Sequence, residues 1–207
     1  MKNRKSGSGT LLWSVLMSSP GPLVVGLGLM AGRSSTQIAD FVRRTSELMA
    51  IIMSFVVYRI TADEERCPEE RKAHLEQISN MFVGAMMCLG GCFMIALAFM
   101  SGNADKGNVI PGLSIAVRGV IANMIFWRKY SRLNRTEPNA ILAVQARLYR
   151  AKSLVDICVT IALLAVAIAP ASPAADWLDF TGSIIVAGYL VGCGVKTICE
   201  ACRAKRK

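Results

Sequence analysis

The chain has 207 residues, a net charge of +10, 53% hydrophobic and 18% charged residues, and a mean hydropathy of +0.43. The charged fraction is below the quarter usual in soluble domains, and a soluble core of this size cannot hide that much apolar side chain. An ordinary soluble enzyme and a disordered tail are both excluded, whereas six membrane spans of ~20 residues each account for the composition.

Six apolar segments follow in chain order: Leu11–Ala31, Ile38–Ile60, Ile78–Met100, Val109–Trp127, Ala140–Ala169 and Trp177–Glu200. The first is interrupted by Ser18, Ser19, Pro20, Gly21 and Pro22, so the backbone groups freed there need partners inside a bundle. Lys2, Arg4 and Lys5 ahead of it also fit a signal peptide, but no small-x-small cleavage site follows, so an uncleaved span is expected. Glycine and proline mark Ser101–Gly107 and Pro170–Ala175 as loops. Seven cysteines without a signal-peptide pattern give no disulfide framework.

Basic residues alternate along the connections. Lys2, Arg4 and Lys5 precede the first span, Arg59, Arg66, Arg71 and Lys72 follow the second, and Arg128, Lys129, Arg132 and Arg135 follow the fourth. Lys196, Arg203, Lys205, Arg206 and Lys207 close the chain. The other connections hold only Arg33 and Lys106. This is the positive-inside pattern of an even number of spans with both termini in the cytoplasm. The basic excess is thus a topology signal, and nucleic acid is not an expected partner. The expectation is an all-α, multi-pass bundle in the cell membrane, one domain over residues 1–207 with no soluble domain after the sixth span.

Ionisable residues inside the spans carry the functional information, because a charge at bilayer depth costs about 2.5–3.5 kcal/mol and so turns inward, pairs or lines water. Arg43, Arg44 and Glu47 lie in the second segment, Arg118 in the fourth, and Arg147, Arg150, Lys152 and Asp156 in the fifth. Arg43 and Glu47 share a helix face. One reading gathers side chains of the second and fifth helices around a polar cavity. The other makes Arg43–Glu47 and Lys152–Asp156 structural pairs and lets Arg147 reach the headgroups.

The order of motifs resembles the six-span membrane domain of the cation diffusion facilitator (cation efflux) family. Ile38 to Leu48 is similar to its Ala-Asp-x-x-His/Asp-x-x-x-Asp helix, His74-Leu75-Glu76 to its Arg-x-Glu, and Gly112 to Asn123 to its helix with an inward asparagine. Ala146–Leu154 resembles the second Ala-Asp-x-x-His-x-x-x-Asp helix, and Trp177 to Ile185 the start of the sixth. The resemblance implies alternating-access export of a divalent metal such as zinc against protons, generally by homodimers, from a site of four ligands supplied as two i, i+4 pairs. The matching positions here are Arg43 and Glu47, and Arg150 and Leu154, with Asn123 and Asp156 as supporting groups. Only Glu47 among the four can bind a metal, since arginine offers no lone pair. Each guanidinium ~4 Å from a dication costs roughly 8 kcal/mol at an effective dielectric of 20. A pocket of two arginines and one glutamate suits an anion or zwitterion better. The alternative is a transport-inactive relative acting as a membrane regulator or scaffold.

Three further features of the residues bear on function. Cys199 and Cys202 form a C-x-x-C with no second such pair; with Cys67 and His74 on the same side they offer four ligands for a structural zinc site, the alternative being inert or lipidated cysteines at the membrane surface. Gly188 and Gly192 make a small-x-x-x-small step that serves either internal packing or a homodimer seam. Cys88 and Cys92 are expected to pack as small apolar residues. No cofactor is implied, and with no nucleophile elbow, phosphate loop or H-E-x-x-H the chain is not expected to be an enzyme.

Overall fold

A computed structural model describes residues 2–31, 35–62, 67–100, 110–168 and 173–204. Arg33, Arg66, Lys106, Val109, Ala169, Lys205, Arg206, Lys207 and the expected loops over 101–107 and 170–172 lie outside the described residues. Seven helices follow in order: α1 (Lys2–Ser18), α2 (Pro20–Ala31), α3 (Ser35–Thr61), α4 (Glu69–Met100), α5 (Ile110–Thr136), α6 (Ala140–Ile168) and α7 (Pro173–Ala204). The expected six spans are present as six helical rods, because α1 and α2 are one rod broken at Ser19. The Ser19 amide still donates to the Val15 carbonyl at 2.9 Å, while Pro20 and Pro22 supply no donor to continue the ladder. Gly7 packs beside Tyr58, Gly21 beside Arg44 and Gly26 beside Phe41, so the broken rod runs antiparallel to α3 along its whole length.

The helices extend beyond the apolar segments. α4 begins at Glu69, nine residues before Ile78, with Glu69 and Glu70 complementing the N-terminal dipole. α5 continues to Thr136 with Arg135 in its last turn. Pro173 starts α7, so Pro173–Ala175, expected in a loop, are helical, as proline at a first helical position allows. Asn139 caps α6, its Oδ1 accepting from the amides of Ile141 and Leu142 at 2.9 and 3.3 Å. Asn139 also donates to Glu76 Oε1 at 3.2 Å, tying the start of α6 to the start of α4. This end of the bundle carries Arg59, Arg71, Lys72, Arg132, Arg135 and Arg203, and is called the basic end below.

α4 and α7 make the most extensive contact, followed by α5 with α6 and α3 with α4. Glycine permits the first. A Cβ on Gly84 would sit 2.8 Å from the Gly194 carbonyl oxygen, one on Gly194 2.7 Å from that of Gly84, and one on Gly91 3.0 Å from that of Ala187. Gly188 and Gly192 meet nothing within 4 Å, so internal packing is not their role. Cys88 packs at the α4–α7 seam, its Sγ 3.7 Å from the Val191 carbonyl, whereas Cys92 is exposed. The core is aromatic where α1, α5 and α6 meet. Phe126, Tyr130 and Tyr149 pack ring on ring, and Tyr130, with no exposed surface, bonds Ser14 Oγ at 2.8 Å and the Thr10 carbonyl at 3.3 Å.

Leu23, Val24, Leu27, Ile121, Ile125 and Ile185 turn outward, each more than half exposed. An outer surface of this kind is at rest in hydrocarbon rather than water. α4 and α7 have long enough uninterrupted apolar stretches to cross a bilayer on composition alone. The other rods carry charges inside their apolar segments: Arg43, Arg44, Glu47, Lys152 and Asp156 point into the bundle, whereas Arg118 is exposed.

Candidate functional site

The break at Ser19 has a consequence for the interior. Met17, Ser18, Gly21 and Pro22 line one wall of a partly open cavity of about 390 Å³, whose other walls are formed by α3, α5 and α6. Into it project Arg43, Arg44 and Glu47 from α3, Asn123 from α5, and Lys152 and Asp156 from α6. The polar cavity between the second and fifth spans thus exists, on partly different residues from those expected.

Glu47 is its centre. Residues 43 and 47 lie four apart on the inward stripe of α3, and Arg43 Nη1 approaches Glu47 Oε1 at 3.3 Å. The second carboxylate oxygen, Oε2, is 3.1 Å from Lys152 Nζ on α6. The three side chains are only 10–14% exposed, so one carboxylate bridges two cations and joins two helices. Lys152 also lies over the Tyr149 ring, 5.3 Å from its centroid. Arg44 lines the cavity and makes an interaction of its own.

Asp156 is held differently. Asn123 Nδ2 donates to its Oδ2 at 2.6 Å, and among the described residues no cation forms an ion pair with it. The carboxylate fits against α5 because position 119 is glycine: a Cβ there would lie 2.7 Å from Oδ2.

Four of the six expected pocket residues therefore converge: Arg43, Glu47, Asn123 and Asp156. Arg150 and Leu154 do not. Arg150 is exposed with its guanidinium 6.0 Å from the Trp127 ring centroid, and Leu154 is 37% exposed on the outer face. The register explains this. Glu47 is met by residue 152, and the i, i+4 pair on that face is Lys152 and Asp156, two residues beyond the positions matched by resemblance. The expected Lys152–Asp156 pair is replaced by Lys152–Glu47 and Asn123–Asp156. Lys152 was recognisable as a deep charge, and its spacing from Asp156 was the available signal. Arg147 reaches α7 rather than the headgroups, donating to Thr197 Oγ1 at 2.7 Å and Glu200 Oε2 at 2.9 Å.

The second candidate metal site does not assemble. Cys199, Cys202 and His74 are exposed and Cys67 is buried, and among the described residues no three His, Cys, Asp or Glu side chains gather. Among the described residues that line the cavity, Glu47 and Asp156 are the only groups of that set, and Arg43 and Lys152 occupy the other inward positions of the two i, i+4 pairs.

The family model described as the cation efflux transmembrane domain matches residues 12–204. No curated protein matches the chain. That match takes in every residue of the cavity and all of the six rods except residues 2–11 of the first. With the helical bundle and its apolar exterior, the match makes the chain an integral membrane protein of the cation efflux family, whose general function is cation transport.

Proposed function

We propose that this chain moves a singly charged cation rather than a divalent metal, with Asp156 as the carboxylate that binds it. The observation that carries the reading is the unequal treatment of the two acidic groups. Glu47 is saturated by Arg43 and Lys152, whereas Asp156 faces the cavity beside a neutral amide. Arg43, Arg44 and Lys152 outnumber Glu47 and Asp156 by one charge, so the proposal rests on Asp156 being the cavity carboxylate outside any ion pair among the described residues, and on the weaker repulsion that a single charge meets there. A dication would meet twice the repulsion of a single charge from the three cations that line the cavity, Arg43, Arg44 and Lys152, a difference of several kcal/mol in a partly dry site. In this reading Lys152 takes the place of the metal in cross-linking α3 and α6. Asn123 Oδ1, free of the bond its amide nitrogen makes, is the neutral oxygen that completes the cation's surroundings.

Six spans in one membrane domain, both termini cytoplasmic, alternating access and exchange against protons belong to the same proposal, supported by the alternating basic connections and the family membership. A homodimer held by membrane helices is also part of it. Gly188 and Gly192 offer α7 an open small-residue face, and a disulfide formed between copies carrying Gly192→Cys is the expected sign of it. The second reading, a transport-inactive regulator, draws support from the closed Arg43–Glu47–Lys152 cluster, which needs no ligand.

The test is reconstitution of the full chain in vesicles with thallium(I), zinc and pH dyes. Thallium(I) entry that Asp156→Asn abolishes supports the proposal; entry unchanged in that variant refutes it, as does zinc entry in the wild type. Silence in all three channels favours the regulator. Arg43→Asp combined with Lys152→His restores four ligand-bearing side chains with Glu47 and Asp156, and zinc flux gained there would locate the family's metal site at this register.

A further inference from the structure

Most deep charges of the apolar segments have a partner or a wet place. Arg147 has Thr197 and Glu200, Arg150 the Trp127 ring, and five others the polar cavity. Arg118 has none of these. It is exposed on α5, lines no part of that cavity, and forms no hydrogen bond or ion pair among the described residues. Its neighbour Gly119 packs on the Asp156 carboxylate, and Asp156 and Glu47 stand near the middle of α6 (Ala140–Ile168) and α3 (Ser35–Thr61). Arg118 is therefore level with the centre of the bundle. Along α5 it lies eight residues, about 12 Å, from Ile110 and ten residues, about 15 Å, from Arg128, the next basic residue.

That depth removes the usual refuge of an outward arginine. Near a helix end the side chain snorkels to the headgroups. At mid-depth each headgroup layer is about 15 Å away, half the hydrocarbon thickness and beyond the length of the side chain. A charge at this level needs a partner. A second copy of this chain does not supply one. Of its fourteen acidic residues only Glu47 and Asp156 lie at the level of Arg118, and both turn into the cavity. The other twelve lie within about two turns of the end of a rod or in the connections.

The surface around Arg118 has the form a helix needs. α5 is an edge rod, packed on α6 and to a lesser extent on α1. Ile121 and Ile125 continue the Arg118 stripe at i+3 and i+7, each more than half exposed, and Val117 is exposed beside it. An apolar stripe with one central cation complements an apolar transmembrane helix with one carboxylate at the same depth. A helix also satisfies its own backbone in hydrocarbon, which a loop cannot do. On its inner side α5 carries Gly119, which admits the Asp156 carboxylate, and one turn on Asn123, which donates to it. A partner on the outer face thus rests on the rod that positions Asp156.

We infer that the outward face of α5 around Arg118 docks a transmembrane helix of another membrane protein, through an aspartate or glutamate at mid-bilayer depth. This docking does not depend on the cargo read above and holds for a transporter and a regulator alike. The probe is a lysine-flanked polyleucine transmembrane peptide with one central glutamate, compared with the same peptide carrying leucine there. Its association with the labelled full chain in phosphatidylcholine vesicles is read by fluorescence energy transfer. The glutamate peptide is expected to bind about tenfold more tightly than the leucine peptide, the effect of one interhelical polar contact in lipid. Arg118→Leu should abolish that advantage and Arg118→Lys should keep part of it. Equal binding of the two peptides to the wild type overturns the inference, as does an advantage that survives in Arg118→Leu. Energy transfer between copies of the chain that is lost in Arg118→Leu assigns the face to a second copy, and a close guanidinium–phosphorus contact in solid-state NMR assigns it to lipid; either result also overturns the inference. Should Arg118→Leu fail to fold, Arg118→Glu exchanges the charges: it is expected to bind a central-lysine peptide in preference to the glutamate peptide, and the reverse preference overturns the inference.

Discussion

Glu47 between two cations makes a quantitative prediction about coupling. At 3.1 Å and an effective dielectric of 20, the Glu47–Lys152 attraction is about 5 kcal/mol before solvent is considered, and the Arg43 contact at 3.3 Å is of the same size. The cavity is open on one side, and Arg43 competes for the same carboxylate. The measurable coupling should therefore fall to about 1.5–3 kcal/mol, the range of a hydrogen bond to a charged partner. The experiment is a double-mutant cycle on the full chain in detergent, comparing Glu47→Gln, Lys152→Met and the double variant by reversible unfolding. The singles should not be equal. Lys152→Met leaves Glu47 its Arg43 partner, while Glu47→Gln takes the carboxylate away from both cations in a largely buried site and should cost more. A coupling below about 0.5 kcal/mol, the usual error of additivity, or a milder Glu47→Gln than Lys152→Met, would refute the bridging role.

Other outcomes follow from single contacts. Arg150→Ala, placed outside the cavity over Trp127, should leave thallium(I) flux intact and lower stability by only about 0.5–1 kcal/mol; loss of flux would return Arg150 to the site. Gly194→Val must push α4 and α7 apart, since its Cβ alone would lie 2.7 Å from a carbonyl oxygen, and a loss of at least 1–3 kcal/mol is expected in thermal unfolding. The same change at Gly188 should leave monomer stability within about 0.5 kcal/mol. Tyr130→Phe removes the buried hydroxyl that bonds Ser14 and the Thr10 carbonyl, while Ser14 keeps its bond to the Leu11 carbonyl, for a loss of about 0.5–1.5 kcal/mol. Asn139→Ala removes the α6 cap and should cost about 1 kcal/mol, read as a lower unfolding midpoint.

Much of this molecule was legible along the chain. The apolar segments, their number and the kink at Ser18–Pro22 followed from hydropathy and from the absence of proline amides, which are local properties. Deep charges were legible for the same reason: Arg43, Glu47, Lys152 and Asp156 stood out because hydrocarbon penalises each of them wherever the helix turns. The α3 half of the site was also readable, since Arg43 and Glu47 lie four apart on one helix.

The α6 half was not. Arg147, Arg150, Lys152 and Asp156 crowd a stretch of ten residues, and a helix of 3.6 residues per turn distributes them over several faces. Which face meets α3 depends on the rotation of α6, and that is set by contacts far away in sequence: Ser54 with Gln145, the stacked rings of Phe126, Tyr130 and Tyr149, and Thr197 receiving Arg147. Rotation by two residues sends Arg150 and Leu154 outward and brings Lys152 and Asp156 inward. The sequence by itself determined that the chain lives in a membrane, how many times its apolar stretches recur and which charges must be hidden. Only the tertiary structure decided which of those charges meet, because partner choice between helices is fixed by the packing of whole faces rather than by any local run of residues.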